Sequence, residues 1–263
     1  MNIKFHGDAP YKIITVHGGP GGAGQLNSLT ADLSQYCGIV EALQTKFSID
    51  EQIEELRQQA ISSCNTKSVV VGHSWGAWLS MLLAAKHPEL VQKLILISCG
   101  ALQEEYKIDQ DDLRLSKLNC NQKLRYKSII ERLSSDHKQI NNEEFTDLAK
   151  LATIADSYCL LNEDNNTIFN FELFNSVWSE AVELRRSGEL INIASKIQCP
   201  ITIIHGTYDS HPIKGVTEPL KAIKKKHKVI ELDKCGHYPW REKFAIDKFF
   251  YHLLKELKVD KHK

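Results

Sequence analysis

The 263-residue sequence lacks an excess of charge of either sign, because 33 lysines and arginines balance 33 aspartates and glutamates. It also lacks an arginine-rich stripe interleaved with aromatic residues, the pattern that follows a phosphate backbone. The densest basic run, Lys224 to Lys226, ends a predicted helix, where cations complement the helix dipole and stay solvated. We therefore expect no nucleic-acid partner.

Long apolar runs are also missing, and no stretch approaches the roughly twenty apolar residues of a membrane span. Met1 to Pro10 carries His6, Gly7 and Asp8, where a secretory signal would need apolar residues. The seven cysteines are scattered without a C-x-x-C pair, and their odd number argues against a disulfide framework. We expect reduced thiols, no membrane partner and a cytoplasmic location.

Hydrophobic residues make up 42% of the chain, which is enough for the core of one large α/β domain. Short apolar runs alternate with helical periodicity, a pattern typical of a parallel sheet covered on both faces. Met1 to His6 is predicted as an antiparallel edge strand. The predicted parallel strands are Lys12 to Val16, Cys37 to Ala42, Ser68 to Val71, Lys93 to Ser98, Ile201 to His205 and Lys228 to Leu232.

The alternation stops after Ser98, and residues 101–190 have helical periodicity with no convincing strand. One predicted apolar stripe contains Leu124, Ile129, Ile130 and Leu133. We predict that residues 1–100 and 191–263 form the α/β core and that residues 101–190 form a helical insertion.

The strand Ser68 to Val71 runs into Gly72-His73-Ser74-Trp75-Gly76, and a helix of small residues follows. This is the G-x-S-x-G nucleophile elbow in its expected strand–turn–helix context. The turn would expose the hydroxyl of Ser74 at the carboxyl edge of the sheet. The motif therefore predicts a serine hydrolase with Ser74 as nucleophile.

A nucleophilic serine needs a base and a carboxylate that orients the base. Asp209 follows the strand Ile201 to His205, and His237 follows Lys228 to Leu232, so both are predicted at the sheet edge that carries Ser74. Serine, acid and histidine occur in the order expected of α/β-hydrolases. Asp233 is a rival acid, but it precedes His237 by only four residues on the same loop.

Other histidines near predicted strand ends, His17, His73, His205 and His211, raise the alternative of a metal site shared with His237. The sequence has no H-x-x-x-H or H-E-x-x-H spacing to support it. We expect His17 and His205 to brace loops through backbone hydrogen bonds, and we expect neither a metal nor another cofactor.

An oxyanion hole needs one amide from the residue after the nucleophile and one from a loop after an earlier strand. Trp75 supplies the first. The second is predicted in the glycine-rich run His17 to Gly22, with Gly19 as our choice. That run matches neither the G-x-G-x-x-G nor the G-x-x-x-x-G-K-[ST] nucleotide-binding pattern.

Taken together, the run His17 to Gly22, the elbow, Asp209 and His237 resemble the α/β-hydrolase superfamily, and the HGGPGG form is most similar to proline iminopeptidases. The resemblance implies an α/β-hydrolase fold in which the insertion roofs the active site. Many such peptidases carry D-x-x-G-x-G-x-S after the strand that follows the oxyanion loop; here Glu41 to Ser48 contains no glycine.

Iminopeptidase-like enzymes bind a free α-amine through acidic residues of this insertion. The matching candidates are Glu172, Glu180 and Glu183, with Trp178 as a substrate-facing aromatic. The opposing interpretation makes the three glutamates the solvated face of a helix and Trp178 a core or interface residue.

These residues favour hydrolysis of a small ester or amide, with a small molecule or short peptide as substrate. The alternatives are an aminopeptidase of the proline iminopeptidase type, a carbon–carbon bond hydrolase and a non-catalytic ligand-binding member of the fold. The sequence leaves the oligomeric state open.

Overall fold

The computed structural model describes residues 2–107, 110–134, 140–162 and 167–259. The strands of these residues are β1 (Ile3–His6), β2 (Tyr11–Val16), β3 (Gly22–Ala23), β4 (Gly38–Ala42), β5 (Ser68–His73), β6 (Val91–Ile97), β7 (Ile168–Phe169), β8 (Ile201–Gly206) and β9 (His227–Leu232). Seven of them form one sheet in the order β1-β4-β2-β5-β6-β8-β9. Strand β1 is antiparallel to β4, and the other pairs are parallel. The predicted sheet and its antiparallel edge are confirmed, with Met1 outside the described residues.

Helices cover both faces of this sheet. They are α1 (Asn27–Ser34), α2 (Ile49–Ser63), α3 (Trp75–Lys86), α4 (Gln110–Lys117), α5 (Cys120–Ser134), α6 (Asn142–Asp156), α7 (Phe171–Arg186), α8 (Glu189–Ser195), α9 (Lys214–Ala222) and α10 (Ile246–Leu257). The buried faces of α2 and α3 share one core cluster with the sheet, and those of α1 and α10 share another. No helix in the described parts of the chain has the length and apolarity to span a bilayer.

The segment predicted as an insertion, residues 101–190, contributes to two cores. Helices α5 and α6, with the residues just before each of them, bury a small cluster of their own, formed by Leu118, Tyr126, Ile129, Ile140, Phe145, Leu148, Leu151 and Ala155. Helices α7 and α8 instead add apolar side chains to the main core on the α3 face of the sheet. The prediction that Leu124 is buried is wrong, because its side chain is 70% exposed. Tyr126 fills the inward position on α5.

The expectation that the insertion contains no strand is also wrong. Strand β7 pairs antiparallel with β3, the short strand at the end of the glycine-rich run. The amide of Asn170 also donates to the carbonyl of Gly21, at 3.1 Å. A two-residue strand depends on a partner far away in the chain, and local periodicity therefore carries no signal for it. This pairing ties the insertion to the glycine-rich loop.

Candidate active site

Ser74 lies between β5 and α3 in the sharp turn that the motif predicts. Its backbone has φ 53° and ψ −117°, a region that non-glycine residues rarely adopt. A Cβ atom at Gly76 would lie 2.2 Å from the carbonyl oxygen of Val16, and one at Gly72 would lie 2.4 Å from the carbonyl oxygen of Gly76. Both positions therefore require glycine if α3 is to start directly against the end of β2. The strained Ser74 thus lies between two positions, Gly72 and Gly76, at which local packing leaves no room for a side chain.

Asp209 and His237 meet at the same end of the sheet. The carboxyl ends of β8 and β9 are in register, with Gly206 opposite Leu232. His237 Nδ1 lies 2.7 Å from Asp209 Oδ2, and both side chains are buried. The rival carboxylate of Asp233 is exposed to solvent. Burial alone would raise the pKa of Asp209, but the neighbouring histidines hold it well below its usual range, and the group is ionised.

A second histidine shares the Asp209 carboxylate. His211 donates its backbone amide to Asp209 Oδ1, and its Nδ1 lies 2.9 Å from the same oxygen. Its ring stacks on that of His237, with centroids 4.5 Å apart and planes at 25°. The potential ligand atoms of Asp209, His211 and His237 lie within 4.8 Å of one another. Both carboxylate oxygens already contact histidine nitrogens, so the arrangement is a hydrogen-bonded cluster in which the role of His211 was not identified from the sequence.

The backbone of His237 is held from two sides. Its carbonyl oxygen is 2.9 Å from His73 Nε2, and its amide donates to the carbonyl of Asp156 at 2.8 Å. The preceding amide, that of Gly236, donates to Glu242 Oε1 at 2.8 Å. Burial lowers the pKa of His73 well below its ordinary value and favours its neutral form. None of these supports has a sequence motif, because each depends on how distant loops meet.

The glycine-rich loop presses against the elbow. A Cβ at Gly18 would lie 3.0 Å from that of Ser74, and the Gly18 amide donates to Gln25 Oε1 at 2.9 Å. Gly19, Ser74 and Trp75 line one cavity. Trp75 is the first residue of α3, where an amide has no intrahelical acceptor. The two amides chosen from the sequence thus lie on segments that flank Ser74.

His17 makes a hydrogen bond to backbone, as expected: its Nδ1 is 3.0 Å from the carbonyl oxygen of Gly18. His205 does likewise, with Nε2 2.7 Å from the carbonyl oxygen of His211. Gln44, a residue that the sequence did not single out, contacts both His17 and Trp75.

The cavity that contains Ser74 and His237 has a volume of about 630 Å³. Its walls are rich in aromatic side chains, several of them from the insertion: Tyr106, Tyr126, Phe145, Phe169, Phe174 and Trp178. The ring of Trp178 is stacked on that of Trp78, with centroids 6.1 Å apart and planes at 12°. Trp178 is therefore both a cavity-wall residue and part of an aromatic stack.

The candidate glutamates do not line this cavity. Glu172 is exposed, and Glu183 pairs with Arg186 at 2.8 Å. Glu180 Oε2 accepts the amide of Ile49 at 2.8 Å, at the start of α2. All three lie on the outer face of α7, because its apolar residues face the core. The structure therefore does not bring Glu172 and Glu180 together with Ser74.

Other charged residues do line the cavity. Asp156 and Arg114 form a buried bidentate ion pair, and the Arg114 guanidinium lowers the pKa of Asp156 against the opposing effect of burial. Asp111 accepts a hydrogen bond from the hydroxyl of Tyr126 at 2.8 Å. Arg185 adds a second guanidinium, paired with Glu104 at 2.7 Å. Among the described wall residues, the carboxylates of Asp111 and Asp156 are thus already engaged by other side chains.

A family model described as the alpha/beta hydrolase fold matches residues 19–243. A proline iminopeptidase of Saccharolobus solfataricus (strain ATCC 35092 / DSM 1617 / JCM 11322 / P2) is 32% identical over 139 residues, which are 47% of this chain and 43% of that protein. The matched part is therefore less than half of that relative's length.

Solved structures give the same fold. The enol-lactonase from Burkholderia xenovorans LB400 superimposes with a TM-score of 0.60 at 18% identity, covering 98% of this chain and 96% of that one. The crystal structure of VinJ gives a TM-score of 0.64 at 14% identity, with 97% and 94% of the two chains covered. The matched family model spans most of the chain, from the glycine-rich loop to beyond His237. The chain therefore belongs to the α/β hydrolase family.

Proposed function

We propose that this protein is a serine hydrolase that cleaves a small ester or amide through an acyl-enzyme on Ser74. One observation carries the proposal. The strained Ser74 opens into the same cavity as His237, and the Nδ1 atom of that histidine contacts the buried, ionised Asp209. A nucleophile, a base and a group that orients the base are the three parts that such chemistry needs.

In the proposed reaction, His237 Nε2 takes the proton of Ser74 Oγ as that oxygen attacks the substrate carbonyl carbon. The amides of Gly19 and Trp75 donate to the oxyanion of the tetrahedral intermediate. His237 then gives its proton to the departing alcohol or amine, leaving the acyl group on Ser74. Water repeats the sequence and releases the acid. Asp209 keeps the proton of neutral His237 on Nδ1 and stabilises the imidazolium.

The cavity walls support a substrate with a substantial apolar group. Aromatic side chains of residues 101–190 line the cavity that contains Ser74, and burying apolar surface against them favours binding by about 25 cal/mol per Å². The wall carboxylates Asp111 and Asp156 are already hydrogen-bonded to Tyr126 and Arg114. We therefore propose neutral esters with an apolar acyl or alcohol part as the first substrates to assay.

A fluorophosphonate probe tests the nucleophile, since it forms a covalent bond only with an activated serine. We expect wild-type protein to be labelled and Ser74→Ala to be unlabelled, with kcat lower by about 10⁴-fold or more. Ser98→Ala is the matched control, because Ser98 also has a positive φ, 47°, and a buried hydroxyl at the next strand end. Labelling of Ser74→Ala, or more than a tenth of wild-type activity in it, would refute the proposal.

The similarity to a proline iminopeptidase favours a second candidate, an aminopeptidase. Such an enzyme must hold the free α-amine of its substrate. Asp111 and Asp156, the carboxylates among the described residues of the cavity wall, already engage Tyr126 and Arg114. This arrangement makes the ester hydrolase the better-supported proposal.

Paired anilides distinguish the two candidates. We expect free and N-acetylated alanyl anilides to have kcat/KM values within about threefold of each other, and Glu172→Ala or Glu180→Ala to change them less than about twofold, as for exposed charges. A charge-assisted bond to the amine would contribute roughly 1.5 to 3 kcal/mol. A preference for the free amine above about tenfold would therefore establish the aminopeptidase instead.

A further inference from the structure

We propose that Gln44 is a positioning residue that holds the two oxyanion amides, those of Gly19 and Trp75, in a fixed relation to Ser74. The inference rests on the proposed function, because it concerns the same site. Gln44 lies just after β4 and is 6% exposed. When Glu41 to Ser48 is aligned with the pattern D-x-x-G-x-G-x-S, Gln44 stands at the first glycine. A buried side chain therefore occurs where the pattern has none.

The first contact fixes the tautomer of His17. The backbone N–H of Gln44 points at His17 Nε2, 3.2 Å away, and a backbone N–H can only donate. Nε2 must therefore accept, which puts the imidazole proton on Nδ1. Burial lowers the pKa of His17, in agreement with a neutral ring. Nδ1 then donates to the carbonyl oxygen of Gly18, 3.0 Å away.

That carbonyl belongs to the same peptide group as the amide of Gly19. Because a peptide group is planar and trans, the direction of the Gly18 carbonyl fixes the opposite direction of the Gly19 N–H. This constraint matters at Gly18 and Gly19, because the peptide groups beside a glycine rotate more freely than those beside any other residue. The bond from His17 thus orients the proposed oxyanion donor, and Gln44 determines that His17 can make it.

The side chain of Gln44 links this loop to α3. Its Nε2 donates to the carbonyl of His17 at 2.8 Å, and its Oε1 accepts from Trp75 Nε1 at 3.0 Å. A carbonyl only accepts and an indole only donates, so an amide with one group of each kind is the side chain that fits. Gln52 Oε1, at 3.3 Å, is a second and longer acceptor for the same indole. One buried residue therefore joins both segments that supply the oxyanion hole.

An oxyanion hole acts on charge that develops in the transition state rather than on the bound ester. Disturbing its alignment should therefore lower kcat more than it changes KM. Removing one donor outright costs about 10² to 10³ in kcat. Misalignment through a lost Gln44 contact is expected to cost less, about tenfold or more.

The test is Gln44→Glu, which keeps the size and the acceptor for Trp75 but replaces the donor facing the His17 carbonyl by an oxygen. Thr202→Val is the control. Thr202 is also buried, and its Oγ1 donates to Glu256 Oε2 at 2.9 Å, between β8 and α10 and away from the glycine-rich loop. Both variants remove a buried hydrogen bond, and both are expected to lower the melting temperature.

We expect Gln44→Glu to lower kcat for a neutral ester at least about tenfold with KM changed less than about threefold, while Thr202→Val keeps kcat within about twofold. An alkyl boronic acid, whose tetrahedral serine adduct carries a negative charge, should lose affinity in parallel with kcat. Unchanged kcat in folded Gln44→Glu overturns the inference. Unchanged boronic-acid affinity beside a lowered kcat overturns it equally.

If Gln44→Glu does not fold, Gln44→Met takes its place, since methionine has a similar length and no hydrogen-bonding amide. The same loss of kcat and boronic-acid affinity is expected, and normal values for both refute the role. A failure of the proposed function would give a different result from a failure of the role of Gln44. If the proposed function is wrong, the wild type shows neither ester turnover nor boronic-acid binding, or Ser74→Ala retains them.

Discussion

At the scale of the residue, Asp209 is the point on which the site depends. One carboxylate oxygen contacts His237, and the other accepts the backbone amide of His211 and contacts its ring. Burying an ionised carboxylate is costly unless each oxygen has hydrogen-bond donors. The two histidines supply these donors, which is why the pKa of Asp209 is low despite complete burial of its side chain.

We predict that Asp209→Asn lowers kcat by about 10⁴-fold, because an amide cannot hold His237 in the tautomer that accepts a proton from serine. The control is Asp233→Asn, which alters an exposed carboxylate on the loop of His237. Ester kinetics of both variants beside the wild type check the prediction. A severe effect of Asp233→Asn with a mild one at Asp209 would reverse the assignment.

At the scale of the element, the site depends on the close approach of α3 to the end of β2. A glycine near a helix start is ordinarily less favourable than alanine, by up to about 1 kcal/mol. At Gly76 this order is reversed, because a Cβ would meet the carbonyl oxygens of Val16 and His17 at 2.2 and 2.5 Å. Both sides of this contact are backbone, so no flexible side-chain atom can move aside to make room for a Cβ. Glycine at position 76 thus lowers the helix propensity, but it allows the elbow to lie against the glycine-rich loop.

Gly76→Ala should therefore destabilise the protein by roughly 1 to 3 kcal/mol, the usual range for overpacking, and should lower ester hydrolysis. Gly215→Ala is the matched comparison, since Gly215 is likewise the second residue of its helix. Its nearest neighbours are the Cβ atoms of Ala101 and Tyr106, at 2.9 and 3.0 Å, so the overlap is smaller than at Gly76, where the distances are 2.2 and 2.5 Å. Urea unfolding should show the larger loss for Gly76→Ala, and equal losses would count against this explanation.

At the scale of the whole molecule, one carboxylate of α10 makes polar contacts with three strands of the sheet. Glu256 of α10 binds Lys93 of β6 at 2.5 Å, Thr202 of β8 at 2.9 Å and Lys228 of β9 at 2.6 Å. Burial would raise the pKa of Glu256, but these hydrogen bonds outweigh it and lower the pKa to about 2. Three neighbouring strands are thereby joined to the helix that covers them.

Because the folded pKa of Glu256 lies below its unfolded value, its stabilisation is present above about pH 4.5 and disappears as the pH falls toward 2. Glu256→Gln should cost about 2 to 3 kcal/mol of unfolding free energy at pH 7 and progressively less in acid. Glu54→Gln is the control: it removes a carboxylate of similar pKa that is paired with Arg57 at the surface, and it should matter much less. Urea unfolding at pH 7 and pH 3 checks this, and a pH-independent difference would contradict it.

The sequence by itself determined the seven strands of the main sheet, the elbow and the order of Ser74, Asp209 and His237. Strand periodicity and a strand–turn–helix motif are local properties, which adjacent residues encode directly. Because parallel strands align their carboxyl ends, the sequence also indicated that these residues share one edge of the sheet. The pattern of the HGGPGG loop likewise pointed to the segment that presses on Ser74.

Only the tertiary structure decided how the loops meet at that edge. It set the geometry of the contact between Asp209 and His237, added His211 to the same carboxylate, and directed Glu180 toward the start of α2. It also paired β7 with β3. Each of these contacts joins segments whose approach depends on packing and loop course, and no local spacing records it. Burial then gave these pairings their strength, since hydrogen bonds and charges interact most strongly away from water.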